Sequence, residues 1–220
     1  MEALILYFVL FFPGAQASPW LAQGVEAVQV IPFSSAALLA RTLTYSLPAI
    51  ALILYLISRS APQRALQPAD IRRAAPGKKD MLPFAIGLPG LIIIGLFIAF
   101  LVSRFAGLTT PPVIEGPHTF IGWTVVILAC LGTGYLEEIY FRYYLLTKLE
   151  NIIPQAAVRV FFSTALFAIA HIHYGPWGLL NAAIAGIFLS ALFLRYRSLH
   201  GIALAHAGYN MFVYFMGTVG

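Results

Sequence analysis

The sequence predicts an all-α fold, a multi-pass transmembrane helix bundle of about seven to eight helices. Three observations carry this. Of the 220 residues, 60% belong to the hydrophobic class and only 10% are Asp, Glu, Lys or Arg, whereas a soluble domain is about 25% charged. Apolar runs recur along the chain, and a membrane span needs roughly 20 mainly apolar residues. The remaining charges gather in a few short places. A soluble fold of this length has no partner for so much apolar surface, and lipid supplies one.

The elements follow in order. Residues 2–17 form a short first span. Ala15-Gln16-Ala17 before Ser18 resembles a leader-cleavage site, but the run opens with Glu2 and no Lys or Arg, which favours a span. Residues 18–33, with Pro19, Gly24 and Pro32, read as a loop. Residues 34–57 are a second span. Residues 58–80 are the strongly polar stretch, holding Arg59, Arg64, Arg72, Arg73, Lys78 and Lys79. Residues 81–103 are a third span and 104–118 a Pro-rich loop. A long fourth helix runs over about 119–149 and turns at Asn151 and Pro154. A fifth covers about 155–173, Gly175 and Pro176 break it, and a sixth runs over 177–195. Arg195, Arg197 and Ser198 make a basic turn before the last span, 201–217. The chain thus divides into N-terminal transmembrane segments, 1–118, and a C-terminal part, 119–217, that holds the unusual polar residues.

Positive charge orients the bundle. With residues 58–80 in the cytoplasm, Lys148, Arg195 and Arg197 also fall in cytoplasmic turns, and only Arg41 and Arg104 lie near outer ends. This places the N-terminus inside, in a cell (inner) membrane. The net charge of +5 is therefore topology and not a nucleic-acid signature, since the bases are not clustered near stacking aromatics. The single cysteine, Cys130, permits no intrachain disulfide and reads as a small buried hydrophobe. Ala182, Gly186 and Ser190 recur every four residues, a small-residue ridge that lets a neighbouring helix approach.

An ionisable residue inside a span costs on the order of a few kcal/mol and marks a functional candidate. Three places qualify. In Glu137-Glu138-Ile139-Tyr140-Phe141-Arg142, Glu138 and Arg142 share a helix face and can pair. Glu137 lies about 100° around the helix and is left freer, as a general base requires. A salt-bridged patch that snorkels to water is the structural alternative. In Phe167…His171, the four-residue spacing lets the ring fix the imidazole. His173, beside Tyr174 and Gly175, reads as a helix-end histidine satisfied by interface water. In His206…Asn210, both side chains share a face and can donate toward one point, or simply glue two helices. Gly208 between them permits close approach of a helix or a substrate backbone. Glu137 and His171 stand about 15 and 18 residues from the turn between their helices, which puts them within about 5 Å in depth.

EExxxR at Glu137-Glu138…Arg142, FxxxH at Phe167…His171 and HxxxN at His206…Asn210 together resemble the three motifs of the CPBP family, which groups CAAX prenyl endopeptidases with bacteriocin-processing and immunity proteins. The resemblance covers roughly 119–217, including the run Leu194–Leu199 into the last motif. Tyr143 departs from the glycine that many bacterial members carry there, which bears on local packing or subgroup. The resemblance implies a glutamic intramembrane protease that hydrolyses a peptide bond of a membrane-associated protein or peptide. Glu137 would activate water with help from His171, His206 and Asn210 would form an oxyanion hole, and Glu138, Arg142 and Phe167 would support them.

Two alternatives belong to other classes. A non-catalytic immunity or scaffold protein of the same fold predicts erosion of at least one motif, and all three are intact. A proton-coupled transporter predicts inverted repeats with matching broken helices, and the sequence has no such symmetry. No cofactor is expected. Zinc is the alternative, since Glu and His can ligate it, but HExxH is absent. The expected partners are the bilayer and a membrane-associated substrate, with no nucleic acid.

Overall fold

The structure is a computed structural model and describes residues 2–12, 30–59, 76–105 and 113–219. Among these, seven helices follow one another: α1 (Glu2–Leu10), α2 (Ser35–Arg59), α3 (Lys78–Phe105), α4 (Phe120–Glu150), α5 (Ala156–Ala170), α6 (Gly175–Tyr196) and α7 (Leu199–Val219). The helical bundle is the fold class that composition dictated. Ser35–Arg59, Lys78–Phe105, Phe120–Glu150 and Ile172–Tyr196 are long and apolar enough to cross a membrane. Side chains such as Phe120 (87% exposed) and Ile121 (73%) project outward, as lipid contact requires. The protein is a multi-pass membrane protein. The candidate cleavage site at 15–18, most of the loop at 18–33, residues 106–112 of the loop at 104–118, and Arg64, Arg72 and Arg73 lie outside the described residues.

Local chemistry explains the helix ends. Ser34 and Thr119 cap α2 and α4, accepting from the backbone N–H of Ala37 and Gly122 at 3.2 and 3.0 Å. α3 tolerates Pro83 and Pro89 in its interior, as membrane helices do. At the turn after α4, Arg159 donates Nη1–H to the carbonyls of Ile153 (2.9 Å) and Pro154 (3.0 Å), and its Nη2 stands 3.6 Å from Glu150. Arg197 adopts φ 49° and ends α6, donating its N–H to Phe193 O at 2.8 Å. Asp80 is buried at the start of α3. It accepts from Gly77 N at 2.8 Å and from Ser198 Oγ at 2.5 Å, and Ser198 in turn accepts from Gly201 N at 3.1 Å. These contacts pin α7 to α3 and set the height of everything further along α7.

Three local features differ from the sequence reading. α5 ends at Ala170 and not near 173, and Ile172–Tyr174 form a 3-10 turn. Gly175 and Pro176 open α6, with Pro in its first turn, where its missing N–H costs nothing. A parallel pair, β1 (Val30–Ile31) with β2 (Val113–Ile114), was not anticipated. Two-residue strands are too short to show an alternating pattern.

α7 packs on both α3 and α4, and α5 packs on α6. Ala182, Gly186 and Ser190 are all buried, and a Cβ at Gly186 would stand 3.0 Å from Thr164 and 3.2 Å from Phe167. The small-residue ridge therefore seats α5. Helix α1 belongs to the core. Tyr7 is 1% exposed and donates to Leu166 O at 2.9 Å. Tyr140 and Tyr144 of α4 reach back to Ala3 O (2.6 Å) and Glu2 Oε1 (2.7 Å). Cys130 is buried, as expected.

Candidate active site

Helix α4 brings the paired carboxylates into the interior. It is an ordinary α-helix to Glu137 and a π-helix from Glu138 to Leu145, and every residue of that π segment is buried. A π stretch inside an α-helix often marks a functional place. The close approach that lets α4 meet α7 is made at Gly134. A Cβ there would stand 2.9 Å from Ala203 O and 3.0 Å from Ala207 N, backbone atoms that cannot swing aside. Gly208, flagged in the sequence, faces Leu88 of α3 and so serves helix packing.

A buried guanidinium must find partners. Arg142 finds three. It donates to Glu138 Oε1 at 3.0 Å and to Gly186 O at 3.4 Å, and its Cζ lies 4.3 Å from the ring centroid of Phe167. The ring supplies a cation–π contact. Phe167 also lies 4.5 Å from the His171 ring and 6.0 Å from the His206 ring. The FxxxH spacing anticipated the contact with His171. The contacts with Arg142 and His206 come from other helices and have no signal within the motif.

The two imidazoles converge on one carboxylate oxygen. His206 Nε2 is 3.6 Å and His171 Nε2 is 4.0 Å from Glu137 Oε2. Both gaps exceed a hydrogen bond, and Oε2 accepts none from the described residues. The other ring nitrogens are committed. His171 Nδ1 lies 2.8 Å from Phe167 O. A carbonyl only accepts, so Nδ1 carries the proton and the neutral ring presents a lone pair at Nε2 toward Glu137. His206 Nδ1 lies 2.8 Å from Glu138 Oε1 and donates to that carboxylate.

Glu137, Glu138, Arg142, Phe167, His171 and His206 thus come together from α4, α5 and α7 and the turn after α5. Asn210 lies one turn beyond His206 on α7, half-buried, and no hydrogen bond among the described residues engages its amide. His173 stacks on His171 at 6.2 Å and on Tyr174 at 4.1 Å. The sequence reading did not single out Tyr135 and His200, whose hydroxyl and Nδ1 meet at 2.9 Å between α4 and α7. Isolated residues without a motif partner give no such signal.

Zinc needs three protein ligands and an open position. Among the described residues no group of three or more His, Cys, Asp or Glu side chains is arranged to hold a metal ion. His206 Nδ1 is turned to Glu138, and the Nε2 atoms face a carboxylate that already lies close.

Fold and site define a polytopic helical membrane protein with an acid–imidazole cluster inside its bundle. Residues 119–212 match the family model described as Rce1-like, type II CAAX prenyl endopeptidase Rce1-like, in line with the resemblance that its three motifs carry. No curated protein and no solved structure matches the chain.

Proposed function

We propose that this protein is an intramembrane endopeptidase that cleaves a membrane-associated protein or peptide with a water activated by Glu137. The observation that carries the reading is the convergence of His171 Nε2 and His206 Nε2 on Glu137 Oε2, at 4.0 and 3.6 Å, with that oxygen free of other donors. A water held there has a carboxylate to take its proton and an imidazole lone pair to orient it. As its oxygen adds to the peptide carbonyl carbon, negative charge develops on the carbonyl oxygen. His206 and Asn210 donate to that oxygen. The proton taken by Glu137 then passes to the departing amine as the C–N bond breaks.

The His206 role sets a condition on its protonation. Its Nδ1–H already points at Glu138, so donation from Nε2 requires the doubly protonated ring. In that form the carboxylates of Glu137 and Glu138 are matched by the cations of Arg142 and His206, and the buried cluster carries no net charge. Glu138 and Arg142 hold His206 in place, and Phe167 fixes both imidazoles. A preorganised donor of this kind lowers the barrier by about 3 kcal/mol.

The cellular test compares membranes from cells carrying the wild type and Glu137→Gln. A protein that accumulates uncut with the variant supports the reading and identifies the substrate. Identical peptide termini in the two membranes, with the variant present at the normal level, contradict it.

A further inference from the structure

Asn181 and Tyr209 form a polar pair that the reaction above does not use. Asn181, in the second turn of α6, donates Nδ2–H to the hydroxyl oxygen of Tyr209 on α7 at 3.2 Å. That hydroxyl is held against α3 at Gly95, where a Cβ would stand 2.6 Å from it. No other hydrogen bond among the described residues engages Tyr209. Oδ1 of Asn181 is buried and accepts none from the described residues. A buried acceptor left alone costs free energy, so such an atom in a folded protein calls for a partner. With their shared bond made, the pair keeps one donor, the Tyr209 O–H, and one acceptor, Asn181 Oδ1. Turning the amide over exchanges the two roles and keeps the same complement.

Contacts on both helices place the pair about one turn from the acid–imidazole cluster. α6 reaches the cluster at Gly186, whose O accepts from Arg142 at 3.4 Å, and α7 reaches it at His206, 2.8 Å from Glu138. Asn181 comes five residues before Gly186 and Tyr209 three after His206, about 8 Å and 5 Å along the two axes. Both displacements point the same way, because the helices are antiparallel. α7 follows α3, with Ala205 at Gly87 and Tyr209 at Gly95, whereas α6 runs against it, with Leu192 at Gly87 and Phe188 at Gly90. Around α7, Tyr209 stands about 60° to one side of His206 and Asn210 about 40° to the other. The three side chains therefore share one face.

We propose that Asn181 and Tyr209 bind one backbone peptide group of the substrate, about two residues from the bond that is cut. The inference rests on the endopeptidase reading. A peptide presents its carbonyl to Glu137 as extended chain, and extended backbone away from water leaves its N–H and C=O groups without partners. Each peptide group carries one donor and one acceptor, which is the complement of the pair. An extended chain advances about 3.3 Å per residue, so a displacement of about 5–8 Å corresponds to about two residues. Such a subsite takes no account of side chains. It holds the substrate in register and offsets the loss of its helical hydrogen bonds.

The test is binding, read in the Glu137→Gln variant so that it does not depend on hydrolysis. Fluorescent apolar peptides of Ala, Leu, Val and Phe, in phosphatidylcholine vesicles, are compared with esters in which one backbone N–H at a time is replaced by O. The replacement removes a donor and turns a lone pair to the same place. At one position the ester is expected to bind about tenfold more weakly than the amide. Adding Asn181→Leu with Tyr209→Phe should erase that loss. Tyr209→Phe alone, which keeps the ring against Gly95, should reduce it, and an unreduced loss there overturns the proposal even where the double change does not fold. Absent binding, or esters that all bind as the amide does, overturns it as well. In the latter case a lowered unfolding midpoint in the double variant would show that the pair only joins α6 to α7. Failure of the endopeptidase reading would show separately, as absence of cleavage of the amide peptide by the wild type with the ester effect intact.

Discussion

His206 donates Nδ1–H to Oε1 of Glu138 across 2.8 Å, joining α7 to α4 in the interior of the bundle. The same oxygen accepts from Arg142 at 3.0 Å. One carboxylate oxygen therefore holds both the cation of its own helix and the imidazole of another. The second glutamate of the pair is a structural counter-charge, and the first is left facing the two Nε2 atoms. From this division of labour the following outcomes are expected.

Arg142→Met should destabilise the protein by about 3–5 kcal/mol, because Glu138 is left buried without its ion partner. The double variant Arg142→Met with Glu138→Gln should cost less than the two single changes summed, since the uncompensated charge is gone. Denaturant unfolding in detergent micelles measures both. Strict additivity would show that the pair acts independently.

His206→Ala should lower kcat by about 10²–10³-fold with a smaller change in KM, as loss of a donor to a developing oxyanion does. Kinetics on a cleavable peptide separate the two constants. A rise in KM alone would make His206 a substrate-positioning group.

Gly134→Ala should cost about 1–3 kcal/mol and reduce activity together with stability. The added methyl meets Ala203 O and Ala207 N, which are backbone atoms. Gly208→Ala should be milder, because its neighbour is the end of the flexible Leu88 side chain. The two unfolding midpoints, compared side by side, check this order.

Activity should persist in a strong chelator if Glu137 is the group that activates the water. Loss with the chelator and return with added zinc would assign the water's activation to a metal.

The bundle was legible because lipid demands long apolar runs, and Pro or Gly punctuates the ends of those runs. Residues 81–103, for example, lie within α3, and 119–149 match α4 to one residue at each end. The site was legible where its partners sit within one helix turn. Glu138 with Arg142, and Phe167 with His171, needed only the helical repeat. Contacts between helices were not legible. Nothing in the chain joins Arg142 to Gly186, Tyr135 to His200, or Tyr7 to Leu166, because these pairs depend on how helices cross. The π stretches at 42–46 and 138–145 are set by the same packing and leave no mark in hydrophobic periodicity. Asp80 was read as the end of a polar loop, yet it is buried at 2% exposure and ties α3 to α7. A carboxylate at a loop boundary has the same sequence signature whether it caps a helix or meets water.

The most direct measurement is cleavage of a membrane-borne peptide by purified wild type and Glu137→Gln in vesicles, with folding checked by the unfolding midpoint. The account predicts loss of turnover in the variant at an unchanged midpoint and with peptide binding retained. Undiminished cleavage by folded Glu137→Gln would contradict it.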